Sequence, residues 1–165
     1  LAAISGLLFG PASVFIETSI PSAYVSTRQN ASSVHRREAT RLWWNEQLSL
    51  YLAHVSDGVM VELGRGEWPG KNEALALVES LPRLVADEET VAVARRYVEE
   101  HLVPEDLGGD ALHLATACVN EMDFLLTWNI RHLANPNKQE HLTVINRRLG
   151  LLTPLIVTPE MLWLE

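Results

Sequence analysis

The sequence predicts an α/β fold built on a central, mostly parallel sheet. Short apolar runs with β-branched residues alternate with longer stretches of helical periodicity along the chain. Strands separated by helices pair in parallel, because each crossover returns the chain to the same end of the sheet. The 165 residues contain no linker, repeat or low-complexity tract, and that length suits one domain with its own core.

Residues 13–16 (Ser-Val-Phe-Ile) read as the first strand, and Thr18, Ser19 and Pro21 then carry helix-start chemistry. The polar segment 26–33 predicts a loop. Residues 35–48 predict a helix whose faces are set by Leu42, Trp43, Glu46 and Gln47. Residues 50–55 read as the second strand. Ser56 or Asp57 caps a helix carrying Met60, Val61 and Glu62, which Gly64 and Gly66 end.

The Ala/Leu spacing of 72–80 predicts a short helix, and Leu84 and Val85 a short strand leading to Asp87. Residues 88–101 form a helix with Val91, Ala94, Tyr97 and Val98 on one face, and 104–109 a turn. The clearest helix spans 110–120, with Leu114, Ala117, Cys118 and Met122 on its apolar side. A strand follows at 123–127, a loop and helix at 136–148, and a last strand at 155–157. Thr158 and Pro159 start a terminal turn of helix. Residues 1–12 are apolar but short for a membrane span and lack a basic start. They read as an extension or artificial remnant, leaving 13–165 as the domain.

Charged residues are 21% and hydrophobic residues 47% of the chain, a globular composition. The lone Cys118 reads as a helix core residue, and a reducing, cytoplasmic setting without membrane attachment is the expectation. The formal net charge of −8 argues against binding nucleic acid through the overall field. A nucleic-acid binder of this composition needs a local basic patch, or cations that neutralise its acids.

Several acids sit against apolar runs: Glu17 after Val-Phe-Ile, Glu62 among Met60, Val61 and Leu63, and Asp110 at the head of the clearest helix. The polar Asn129 ends the apolar run of the fourth strand. An acid beside apolar residues is costly to desolvate without a partner, so several in one small domain suggest a shared cation. In an open α/β sheet, ligands gather beyond the carboxyl ends of the strands, where Glu17 and Asn129 fall. Each residue also has a plainer reading. Asp110 alone is an N-cap, Glu17 a strand-end acid, Glu62 a solvated helix residue and Asn129 a turn residue.

At Ile16-Glu17-Thr18-Ser19, Val61-Glu62-Leu63, Asp110-Ala111-Leu112-His113 and Leu126-Thr127-Trp128-Asn129, the chain resembles the four motifs of PIN-domain proteins. They stand in the family's order and near its spacing, across residues 14–163. The last two blocks are the specific ones. The resemblance implies a three-layer α/β/α fold and a Mg²⁺- or Mn²⁺-dependent endoribonuclease of the VapC toxin type. It also implies a homodimer and a small antitoxin partner. Carried over residue by residue, it makes Glu17, Glu62, Asp110 and Asn129 the catalytic and metal-binding set. Glu17 stands where Asp is commoner, and Asn129 where many members have Asp. Both variants resemble a subgroup with a Trp-Asn-x-Arg-His sequence, and occupancy by one metal or two stays open.

Thr18, Ser19 and Thr127 are short hydroxyl residues beside these positions. They suit orienting a carboxylate or water, and equally suit capping. His113 reads as a packed helix histidine. Arg65, Arg131 and His132 adjoin the acids and are the candidate RNA contacts. Arg28, His35, Arg36, Arg37 and Arg41 concentrate positive charge that could position a phosphate backbone, and the 35–41 run reads at least as well as a solvated helix face paired with Glu38. Of adjacent Trp43 and Trp44, one is expected in the core and the other at a partner surface. The alternative function is a catalytically weak PIN domain serving as an RNA-binding or protein-interaction module. A nucleophilic Asp-x-Asp phosphotransferase and a P-loop enzyme are disfavoured, since neither motif occurs.

Overall fold

The computed structural model describes residues 10–105 and 109–165. Most of the expected 1–12 extension and the middle of the 104–109 turn lie outside the described residues. Strands β1 (Ser13–Ile16), β2 (Leu52–Ser56), β3 (Arg83–Leu84), β4 (Phe124–Leu126) and β5 (Leu155–Val157) form a five-stranded sheet in the order β3-β2-β1-β4-β5. Every pairing is parallel. The described helices are α1 (Ser19–Val25), α2 (Ala31–Glu46), α3 (Asp57–Gly64), α4 (Lys71–Val78), α5 (Glu88–Glu99), α6 (Asp110–Val119) and α7 (Pro136–Leu149). Together they make the parallel-sheet α/β fold that the sequence predicts, in the three-layer α/β/α arrangement that the resemblance implies.

The two central strands are apolar because both of their faces are covered. Val14, Phe15 and Ile16 of β1 and Leu125 and Leu126 of β4 are all 0% exposed. Full burial of each such side chain contributes about 1.5–3 kcal/mol. The edge strand β3 is only two residues long, which limits its exposed pairing edge. Helix α5 packs on α6, and α1 packs on both α2 and α4. No described helix is long and apolar enough to cross a membrane.

Several boundaries differ from the sequence reading. Helix α2 begins at Ala31, inside the segment read as a loop, because the Asn30 side chain accepts the Ser33 N–H and caps it. Leu48–Leu50 form a 3-10 turn, so β2 starts at Leu52. Ser56, not Asp57, caps α3 by accepting the Val59 N–H. After Thr158 the chain makes a hydrogen-bonded turn and not a helical one, with Met161 N–H donating to the Thr158 carbonyl. It then runs back along α2, where Trp43 Nε1 donates to the Leu162 carbonyl at 2.7 Å and Gln47 accepts the Leu164 N–H at 2.8 Å. Trp43 is thus wholly buried, and Trp44 packs edge-on to Tyr24 within the chain.

Asn146 holds α5, α6 and α7 together behind the site. Its carbonyl oxygen accepts the Tyr97 hydroxyl, and its amide donates to Thr153 Oγ1 at 3.1 Å and toward Cys118 Sγ at 3.3 Å. Asn146 is fully buried, and burial raises the pKa of the Tyr97 hydroxyl. Asn146→Leu leaves that hydroxyl without an acceptor. Urea unfolding is expected to show a loss of about 1–3 kcal/mol, and an unchanged midpoint would remove Asn146 from this role.

Candidate metal centre

A parallel sheet places all its carboxyl strand ends at one edge, and the crevice forms where the strand order reverses. Here β2 and β3 lie to one side of β1, and β4 and β5 to the other. Glu17 follows β1 and Asn129 lies just past β4, so both flank that switch point. A cleft of about 820 Å³ opens there, with Glu17, Glu62, Asp110, Asn129 and Arg131 among its walls.

Glu17 is buried, 4% exposed, and its burial is compensated locally. Its Oε2 accepts the Ser19 N–H at 3.1 Å, the Thr127 hydroxyl at 2.7 Å and the Ser19 hydroxyl. The Ser19 hydroxyl also accepts the Trp128 N–H at 2.8 Å, and Thr127 Oγ1 accepts the Asn129 N–H at 3.0 Å. The start of α1 and the exit of β4 are therefore tied to one carboxylate oxygen. Oε1 takes no hydrogen bond among the described residues. Thr18 serves a different group, its Oγ1 lying 3.4 Å from His113 Nε2.

Asp110 does not cap its helix. Gly109 holds the N-cap position, and no side chain bonds the first turn. The carboxylate accepts the Asn129 amide N–H at 3.1 Å instead, while Asn129 Oδ1 accepts the His132 N–H at 3.1 Å. Burial, and then the charge of Glu17, push the Asp110 carboxyl above its ordinary range; His113, Asn129 and His132 only partly offset this.

Glu62 reaches the site from α3 and accepts from His113 Nε2 at 2.8 Å. That hydrogen bond holds the Glu62 carboxyl below its ordinary value, against its partial burial. Burial pulls His113 down. Its bond to Glu62 and the charges of Glu17, Glu62 and Asp110 together outweigh this and raise it. One ligand atom each from Glu17, Glu62 and His113 lie within 4.8 Å of one another. His113 is packed in its helix as the sequence suggests, 2% exposed, yet its ring nitrogen belongs to the acidic cluster. Gly109 makes room for this: a Cβ there would lie 2.5 Å from Glu62 Oε2 and 2.9 Å from His113 Nε2.

The candidate RNA contacts separate. Arg131 lines the cleft. His132 lies in a neighbouring depression with Arg131, His101 and Lys138. Arg65 is exposed at the end of α3, outside the cleft wall, though near enough to favour the ionised form of Glu62. Arg36 and Trp128 are cleft residues that the sequence reading did not select. Their only signal was a basic helix and a Trp beside Asn129. Cys118 is wholly buried in α6, as expected.

No family model matches the sequence, and no curated protein matches it. Solved structures do. VapC20 of Mycobacterium tuberculosis, a sarcin–ricin loop cleaving toxin, aligns with TM-score 0.55 and 17% identity over 73% of this chain and 92% of its own. FitAcB of Neisseria gonorrhoeae aligns with TM-score 0.50 and 15% identity over 90% of this chain and 99% of its own. VapBC2 of Rickettsia felis, bound to a promoter DNA fragment, aligns at 0.47 and 12% identity over 88% and 97%.

Two outcomes test this geometry. Gly109→Ala is expected to cost about 1–3 kcal/mol in thermal unfolding, because the added Cβ displaces Glu62 or the buried His113 ring and breaks their hydrogen bond. An unaltered melting temperature would contradict the close approach. The Glu62–His113 pair also fixes a pH window. Lowered Glu62 contributes stability that is present above its ordinary value of 4.5 and lost as pH falls through its folded value. Raised His113 contributes stability that is fully present below its ordinary value of 6.5 and lost as pH rises through its folded value. With chelator present, the melting-temperature gap between wild type and His113→Gln should therefore peak between pH 4.5 and 6.5 and shrink toward alkaline pH. A gap independent of pH would show that the pair carries no such linkage.

Proposed function

On the premise that this chain has the PIN-domain, VapC-type fold, we propose that it is a divalent-metal-dependent endoribonuclease and the toxin half of a toxin–antitoxin pair. The observation that carries the proposal is the convergence of Glu17, Glu62 and Asp110 at the switch point of the sheet. The Asp110 carboxyl is raised first by burial and then by the charge of Glu17, so its ionised form lacks full compensation from the protein. The oxygen donors suit Mg²⁺ or Mn²⁺, and an imidazole nitrogen within the cluster is better accepted by Mn²⁺.

Glu17 and Asp110 would be the principal ligands, with Glu62 holding a second ion or orienting water. A bound ion would neutralise phosphate charge and supply an activated water for hydrolysis of the phosphodiester. The chain's own groups prepare that chemistry. Ser19 and Thr127 fix Glu17 through Oε2 and leave Oε1 for the cleft. Asn129 steadies Asp110 through its amide, and its carbonyl oxygen keeps a second lone pair. His113 holds Glu62 against the floor, and Arg131 supplies positive charge at the rim. A small antitoxin that covers the acidic cleft, and a homodimer, complete the reading.

One observation favours the alternative of a binding module without catalysis: the Glu62 carboxylate is already engaged within the chain by His113. Calorimetry with Mn²⁺ at neutral pH separates the two. Wild type is expected to bind, and Asp110→Asn to weaken binding about 10–100-fold while staying folded. Cleavage of structured RNA in Mn²⁺ should fall at least in parallel. Wild type that binds RNA but neither Mn²⁺ nor cuts would decide for the module.

A further inference from the structure

Beside the acidic cleft lies a second groove of about 360 Å³, and Ser19, Ser22, Arg36 and Trp128 line both. Away from the acids, Trp68 and Arg28 line its walls. We propose that this groove seats an unpaired nucleotide flanking the scissile one. The substrate would then be a single strand that runs from the acids past Arg36 and Trp128 to Trp68 and Arg28. The inference rests on the ribonuclease reading and adds the path of the substrate strand across this chain.

Charge supports the path. The basic run over residues 28–41 stands out in a chain of net charge −8, and the structure divides its labour. Arg37 donates to the Ser26 carbonyl at 3.0 Å and toward the Arg28 carbonyl at 3.3 Å, and Arg41 donates to the Tyr24 carbonyl at 2.9 Å. His35 meets Glu160 at 2.7 Å. Those side chains brace the connection between α1 and α2 or its surroundings. Arg28 and Arg36 instead face the groove, and neither pairs with an acid among the described residues. Arg36 lies 5.7 Å over the Trp128 ring, beside the acids. Two guanidinium groups lining one groove suit the phosphates of a strand laid along it.

The Trp68 wall suits a base. Its Nε1 donates to the Leu63 carbonyl at 2.9 Å, so its polar edge is already satisfied and its ring is held as an apolar wall. Base stacking on an indole needs no particular sequence, but it does need a free base face, which a duplex hides. The wall is also closely packed. Gly70 has φ +90, and a Cβ there would lie 2.7 Å from Val25 Cγ2, so glycine lets the Trp68 loop close on the end of α1.

The test is fluorescence anisotropy with a fluorescein-labelled decauridylate in Ca²⁺, with strand integrity checked afterwards. The intact protein is compared with Arg28→Glu, Trp68→Ala and Trp68→Phe, and each is titrated with Mn²⁺ by calorimetry. Affinity is expected to fall about tenfold in Arg28→Glu and Trp68→Ala. Trp68→Phe, which keeps an aromatic face but loses the N–H bond and the second ring, should retain more of it than Trp68→Ala. Mn²⁺ binding should be unchanged in all of them. Strand binding that is unaffected by these changes would overturn the groove assignment, and would leave it to a protein segment or to nothing. Equal affinity for a duplex of the same length, or no strand binding by a wild type that takes up Mn²⁺, would overturn it as well. Failure of wild type to bind Mn²⁺ sinks the metal-dependent reading itself, and this inference with it.

Discussion

The burial of the Glu17 carboxylate is the constraint on which the rest of the site depends. An ionised acid at 4% exposure is expensive unless several donors replace its water. Ser19 and Thr127 provide them, and both come from segments that the parallel sheet brings together at its carboxyl edge. The same bonds fix where α1 begins and where the chain leaves β4. Satisfying one carboxylate oxygen therefore sets the positions of Trp128 and Asn129, and through Asn129 the position of Asp110.

What is not satisfied is as informative as what is. Oε1 of Glu17 faces no donor among the described residues, and Asp110 sits in an environment that favours its neutral form. An acid whose folded pKa is raised works against folding once it ionises. At neutral pH an ionised Asp110 is therefore unfavourable in this setting, and the proposed cation would relieve that cost. Glu62 is held differently, since its carboxylate accepts from His113 Nε2 in the space that Gly109 leaves open.

The proposed substrate is a polyanion, yet the chain is acidic overall. The structure resolves this locally. Arg37 and Arg41 are consumed in bracing the α1–α2 connection, while Arg28, Arg36 and Arg131 line the grooves on either side of the acids. Electrostatic attraction then comes from a short rim and not from the net field, so binding should depend on bound cations as much as on arginines.

The sequence by itself determined the α/β class, the strands, most helix cores and the acids to watch. Those follow from periodicity and from local capping chemistry, which act over a few residues. It missed the start of α2 because an Asn cap competes with a polar stretch that looks like loop, and it misjudged the end of the chain because packing on Trp43 replaces a helical turn. Only the tertiary structure decided that Asp110 is no cap, that His113 joins Glu62 from 51 residues away, and that Arg36 and not Arg65 lines the cleft. These outcomes depend on which side chains share a few ångströms across the edge of the sheet. Desolvation and Coulomb terms act through space there, and no local pattern encodes them.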